Sequence, residues 1–85
     1  MTNREILCDN GYEDLVVFDN PSFDKAIIGV SHDDRVIYDY DLMIEAAMEE
    51  EGWTEDEAID WIEFNTLRSI PYRDGAPIVM YGLQK

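Results

Sequence analysis

Two consecutive helix signals at residues 52–57 constrain the fold more than any other feature of this 85-residue chain. Gly52 follows a segment with helical spacing, and glycine at such a position is typical of a helix C-terminus. Thr54 and Glu57 have the T-x-x-E spacing of a capping box, in which each side chain accepts a main-chain N–H of the other residue. One helix therefore ends and the next begins within two residues, which predicts a helical hairpin.

Apolar spacing and local breakers set the bounds of the two predicted helices. The first begins at a cap from Asp39 or Asp41 and runs to about residue 51. The second runs to about residue 68, because Pro71 prevents its continuation. The residues expected to be buried on these helices recur at helical spacing, and they are Met43, Ile44, Ala47, Met48, Ala58, Ile59, Trp61 and Ile62.

Runs rich in β-branched residues lie on both sides of the helices. Residues 26–30 and 36–38 enclose a five-residue polar segment of hairpin length, which predicts an antiparallel hairpin. The first run lacks polar alternation, so we expect it to be the central strand. Residues 15–18 and 77–81 predict two further strands, with a tight turn at 72–75 before the last. The sequence does not indicate which strand pairs with this last one.

These elements predict one α+β domain over residues 1–85, with the order β(β)βααβ. We expect a small antiparallel sheet of three or four strands, with the two-helix hairpin packed on one face.

The charge balance limits the partners that such a domain can have. Twenty acidic and six basic residues give a net charge of −14, and such a surface repels nucleic acid and anionic lipid while attracting basic proteins. We therefore expect no direct nucleic-acid binding and no membrane contact. Cys8, the single cysteine, suits a reducing cytoplasm, and we expect it to fill a buried gap. The first residues of the chain include no apolar stretch of signal-sequence length, and no run reaches membrane-spanning length, so we expect a soluble, cytoplasmic protein.

Three segments carry a resemblance to other proteins: "FDKAIIGVS", "RVIYDYDLMIEAAMEEEGWTEDEAIDWIEFNTLRSIPY" and "APIVMYG". With these segments, about two thirds of the chain resembles small uncharacterised acidic proteins encoded by bacteriophages and bacterial mobile elements. The resemblance implies a phage-related origin, a compact α+β fold and, for a phage-encoded chain, location in the host cytoplasm. It carries over no catalytic residue.

Eleven carboxylates and no Lys or Arg lie between residues 36 and 67. Surface helices ordinarily mix the two signs, because Glu–Lys pairs four residues apart are favourable and like-charge pairs are not. One interpretation is a binding face that mimics the nucleic-acid backbone. The other is a solvated helix face, since carboxylates in a first turn complement the helix dipole. The candidate protein-binding residues are Glu45, Glu49, Asp56, Asp60, Glu63 and Tyr72.

The aromatic residues of the second helix also allow two interpretations. Trp53 precedes the Thr54 cap and is placed to pack against the helix as a staple. Trp61 and Phe64 are three residues apart, so one can be buried while the other is exposed. Core packing is one interpretation, and an exposed aromatic anchor inside an acidic rim, which suits a binding hot spot, is the other.

Signatures of catalysis and metal binding are weak in this sequence. Cys8 and His32 are the single Cys and His, and the acidic pairs at 33–34 and 39–41 do not match a calcium-binding loop. We therefore expect no enzyme activity, no metal site and no cofactor. The sequence predicts a non-enzymatic, phage-type module that binds the basic surface of another protein. Its sharper form is an inhibitor of a host defence or nucleic-acid-handling protein, and the alternative is a structural or assembly subunit of a phage or mobile-element complex.

Overall fold

The described residues form a three-stranded sheet together with α-helices, and the α+β class is confirmed. The computed structural model describes residues 2–18, 23–72 and 74–83. The chain forms α1 (Asn3–Asp9), a 3₁₀ turn (Asp24–Ala26), β1 (Ile27–Val30), β2 (Val36–Asp39), α2 (Tyr40–Glu51), α3 (Glu55–Trp61), a π turn (Ile62–Thr66), α4 (Leu67–Ser69), a second 3₁₀ turn (Ile70–Tyr72) and β3 (Ile78–Met80).

The sheet is mixed and has the order β1–β2–β3. The predicted hairpin is confirmed, because β1 and β2 pair antiparallel with Val30 opposite Val36. The prediction of a wholly antiparallel sheet is wrong, because β3 pairs parallel with β2 and Ile78 lies opposite Ile37. Parallel strands need a long crossover connection, and the helices together with residues 70–77 provide it.

The strand predicted to be central is instead an edge strand. β2 lies in the middle of the sheet, while β1 has a register shift between Ile27 and Gly29. Ile27 is buried and its neighbour Ile28 is 47% exposed, as expected where successive side chains point to opposite faces and one of those faces is open to solvent. The apolar run therefore indicates a bulged edge rather than a strand covered on both sides.

Residues 15–18 do not form the predicted strand, and the predicted order β(β)βααβ is wrong at its N-terminal end, where α1 precedes the hairpin. Phe18 is buried, and its ring lies 4.7 Å from the Tyr38 ring, centroid to centroid. Its main-chain N–H donates to the Tyr38 hydroxyl at 3.1 Å instead of to a neighbouring strand. The segment is apolar because it packs against the core, not because it pairs in the sheet.

The predicted helix caps are confirmed. Asp39 accepts the Leu42 N–H at 3.1 Å, and α2 ends at Gly52 with a left-handed φ of 71°. Thr54 and Glu57 form the reciprocal capping box at the start of α3. These caps satisfy main-chain groups that helix ends leave free, which explains why the hairpin begins and ends where the sequence predicts.

The core lies where the helices meet the strands. Met43, Ala46 and Ala47 from α2 pack with side chains from α3, the π turn and β2. Three predicted burials are wrong, because Met48 is 39% exposed, Trp61 is 38% exposed, and Cys8 lies exposed on α1.

Candidate protein-binding surface

The second helix contains a π turn beside its exposed aromatic residues. The Leu67 N–H donates to the Ile62 carbonyl, five residues back, instead of four as in an α-helix. Asn65 Nδ2 donates to the Trp61 carbonyl at 3.3 Å, which satisfies an acceptor at the junction. Ile62 and Thr66 are buried within this turn. The extra residue therefore keeps the buried side in place while Phe64 faces solvent. Such turns are rare and occur often at functional sites.

Asp56 and Asp60 form an unneutralised pair within the acidic surface. The two residues are four apart on α3, so they lie on one side of the helix. Both are exposed, and no described residue forms an ion pair or hydrogen bond with either carboxylate. Like charges at this spacing are mildly unfavourable, so the pair does not contribute to the stability of the helix.

The other three predicted acidic residues differ in their surroundings. Lys25 in the first 3₁₀ turn forms an ion pair with Glu49 at 2.8 Å. Glu63 accepts a hydrogen bond from the Tyr40 hydroxyl at 2.9 Å. Glu45 is exposed and has no partner among the described residues. The predicted binding set is thus not uniform, and its free charge lies on Glu45, Asp56 and Asp60.

A shallow depression lies beside the acidic pair, and we call it the tryptophan groove. Its volume is about 500 Å³ and its lining residues are Trp53, Glu57, Asp60, Trp61, Phe64 and Asn65. The Trp53 and Trp61 rings contact each other, with centroids 5.2 Å apart and planes inclined at 40°. Phe64 is 59% exposed. Trp53 is half-buried against the helix, as expected for a residue that precedes the cap.

Arg35 and Arg68 do not cover the acidic pair. Arg68 places its guanidinium 4.9 Å from the centre of the Phe64 ring, a cation–π contact. Arg35 lies at the hairpin, where it approaches Asp33 at 3.8 Å. Arg73 lies outside the described residues. Within the described part of the chain, Lys25 is therefore the only Lys or Arg that forms an ion pair with the predicted acidic set.

Tyr40 and Tyr81 form a second aromatic contact beside Glu63. Their ring centroids are 4.9 Å apart, and Tyr81 is 62% exposed. Partial burial of the Tyr40 phenol, followed by its bond to Glu63, raises the pKa of Tyr40 to about 12. The hydroxyl therefore stays protonated at physiological pH and serves as a hydrogen-bond donor. Tyr72 belongs to the second 3₁₀ turn, but its side chain lies outside the described part of the structure.

A second apolar depression, of about 430 Å³, lies between α1 and the outer edge of β1. Ile6, Tyr12 and Ile28 line it and are each more than a third exposed. Asn3 Nδ2 donates to the Ile27 carbonyl at 3.0 Å across this depression. Sequence reasoning missed it, because α1 is a short helix and its packing against β1 has no local signature.

Among the described residues, the fold does not gather the candidate catalytic or metal-binding side chains into a cluster. His32 is exposed in the hairpin loop, and Cys8 is exposed on α1. No group of three or more His, Cys, Asp or Glu side chains within residues 2–18, 23–72 and 74–83 is placed to hold a metal ion. In those same residues, no helix combines the length and apolar character needed to cross a bilayer.

No protein-family model, curated protein or solved structure matches this chain. The resemblance to phage-encoded and mobile-element proteins therefore stays a prediction. The function is inferred from the charge and geometry of the acidic surface and the tryptophan groove.

Proposed function

We propose that this protein is a non-enzymatic binding module whose acidic helical surface contacts a basic surface of another protein. The observation that carries the proposal is that Asp60 lines the tryptophan groove beside exposed aromatic rings, while Asp56 lies one helical turn away, and neither carboxylate forms an ion pair with a described residue. Aromatic side chains in a partly desolvated depression are typical binding hot spots. Free charges around them steer an oppositely charged partner and accelerate association at low salt.

The sharper form of the proposal is an inhibitor that occupies the nucleic-acid groove of a host defence or nucleic-acid-handling protein. Two considerations support it. The net charge of −14 disfavours direct contact with nucleic acid. Successive carboxylates on one side of α3 are spaced about 6 Å apart along the axis, from the helical rise, whereas phosphates of one DNA strand are about 3.4 Å apart. The two spacings along the helix axes differ by less than a factor of two, so the charge density of α3 is compatible with a phosphate-binding groove.

Charge variants with matched positions test the proposal. We expect immobilised wild-type protein to retain basic host proteins at low salt and to release them at high salt. The double variant Asp56→Lys/Asp60→Lys should retain far less, whereas Glu49→Gln should retain nearly as much because Lys25 already neutralises Glu49. For the sharper form, duplex DNA should displace the bound protein. Equal retention by the wild type and the double variant would contradict the proposal.

A structural or assembly subunit is the second candidate, and the depression between α1 and β1 favours it. An exposed strand edge beside apolar side chains can pair with another extended chain. Light scattering over a range of protein concentrations separates the two candidates. A binding module with this charge should remain monomeric through self-repulsion. An assembly subunit should form a defined oligomer that the variant Ile28→Lys disrupts.

A further inference from the structure

We propose that the tryptophan groove binds an arginine side chain of the partner and selects it over lysine. This inference rests on the proposed function, since it assumes that a basic protein surface contacts α3. It specifies which cation the groove receives and which residues hold it.

The lining of the groove combines the two features that bind a guanidinium. Trp53 and Trp61 present indole rings, the strongest cation–π acceptors among the side chains. Glu57 and Asp60 place carboxylates at the same depression. A planar cation can therefore stack on a ring while its N–H groups reach a carboxylate.

The two carboxylates of the groove have different degrees of freedom. Glu57 Oε1 accepts the Thr54 main-chain N–H at 2.9 Å, which orients this carboxylate before any partner binds. Asp60 has no partner among the described residues and remains free to form an ion pair. One oriented and one unpaired carboxylate suit the forked N–H donors of a guanidinium. The oriented carboxylate sets the direction in which the guanidinium binds, and the unpaired carboxylate can adjust its position to it.

Arginine fits this arrangement better than lysine. A guanidinium is planar and weakly hydrated, and its five N–H donors stay available while its face stacks on an aromatic ring. An ammonium is compact and strongly hydrated. Contact with an aromatic ring therefore removes water from it, and the interactions gained with the ring compensate less of that cost. The chain already contains an arginine–aromatic contact, since the Arg68 guanidinium lies over the ring of Phe64, which lines the groove.

Both tryptophans of the chain line the groove, so intrinsic fluorescence reports its occupancy directly. We would titrate the full chain at low salt with a Gly-Ser-spaced peptide that carries three arginines. Matched peptides would carry lysine or citrulline at the same positions. We expect the arginine peptide to change the tryptophan emission and to bind about tenfold more tightly than the lysine peptide. The citrulline peptide, which keeps the shape but loses the charge, should not bind measurably.

Two variants separate the groove from the general negative charge. Asp60→Asn should reduce the preference for arginine, whereas Asp56→Asn, which makes the same charge change outside the groove lining, should leave it intact. Both positions are exposed, so far-ultraviolet circular dichroism should show the wild-type fold in each.

The outcomes distinguish this inference from the proposed function. Equal affinity for the arginine and lysine peptides would overturn the selection of arginine and leave the acidic binding module in place. Failure of all peptides to bind, together with equal retention of basic host proteins by the wild type and Asp56→Lys/Asp60→Lys, would overturn both. A change in emission with protein concentration alone would show that a second copy fills the groove, and would also overturn the inference.

Discussion

Arg35 donates its Nε–H to the main-chain carbonyl of Ala76 at 2.8 Å, across 41 residues of sequence. Arg35 directly precedes β2, and Ala76 lies two residues before β3. The bond therefore joins the segments that lead into β2 and β3, which pair in parallel. It supports the parallel pairing that distinguishes this sheet from the predicted antiparallel one.

Replacing Arg35 should lower the free energy of unfolding. The Ala76 residue is only 3% exposed, so its carbonyl cannot easily replace the lost donor with water. We expect Arg35→Ala to cost about 1.5–3 kcal/mol, the range for a hydrogen bond from a charged group. Urea denaturation followed by circular dichroism measures the difference. Arg68→Ala is the control, since it removes the same charge but only an exposed contact with Phe64 worth about 0.5–1 kcal/mol. Equal costs for the two variants would argue against the role of the bond to Ala76.

The Tyr38 hydroxyl should have a measurable part in the stability of the core. Tyr38 is fully buried, and its oxygen accepts the Phe18 N–H at 3.1 Å. Tyr38→Phe keeps the ring and removes this acceptor, which should cost about 1–3 kcal/mol because the Phe18 N–H is left buried and unpaired. Hydrogen exchange at the Phe18 amide should accelerate in the variant. If that exchange rate were unchanged, residues 15–18 would be held by packing alone.

Alkaline pH should destabilise the fold through Tyr40. Burial and the bond to Glu63 raise its pKa above the ordinary value for a tyrosine, to about 12. Because the folded state binds the phenol proton more tightly than the unfolded chain, this stabilisation is complete below pH 10 and is lost as the pH rises toward 12. Ultraviolet absorbance of tyrosinate should show a late-titrating component that Tyr40→Phe removes. Glu63→Gln should shift that component to lower pH, and a titration unaffected by either variant would contradict the assignment.

Gly52 and Gly29 form a matched pair for backbone strain. Neither position has an atom within 4 Å of where a Cβ would lie, so added side-chain bulk meets open space at both. Gly52 has a φ of +71°, and Gly52→Ala should therefore destabilise the domain by about 1–2 kcal/mol. Gly29→Ala should be neutral or stabilising by up to about 1 kcal/mol, because alanine lowers the entropy of the unfolded chain. Thermal denaturation of the two variants compares them, and a similar melting temperature for both would contradict the left-handed cap.

Local signals predicted the helices and the hairpin well. The caps at Asp39, Gly52 and Thr54 depend on side chains and backbone geometry within a few residues, so their sequence patterns are specific. The direction of β3 had no such signal. Arg35 bonds a main-chain carbonyl, which every residue possesses, and no pattern at position 76 marks it as the acceptor.

The candidate surface was predictable in character but not in detail. An acidic rim around aromatic residues follows from composition and spacing, but the exposure of Trp61 does not, because the adjacent Ile62 occupies the buried position. The prediction also treated residues 36–67 as a unit without positive charge. Lys25, which neutralises Glu49, comes from the 3₁₀ turn before β1 and is brought close only by the fold.

The 41-residue span between Arg35 and Ala76 also sets the order of events during translation. The hairpin and both helices leave the ribosome before β3 does, so the unpaired side of β2 stays available to other extended chains for that interval. Until the last strand arrives, that side of β2 can pair with a neighbouring chain instead.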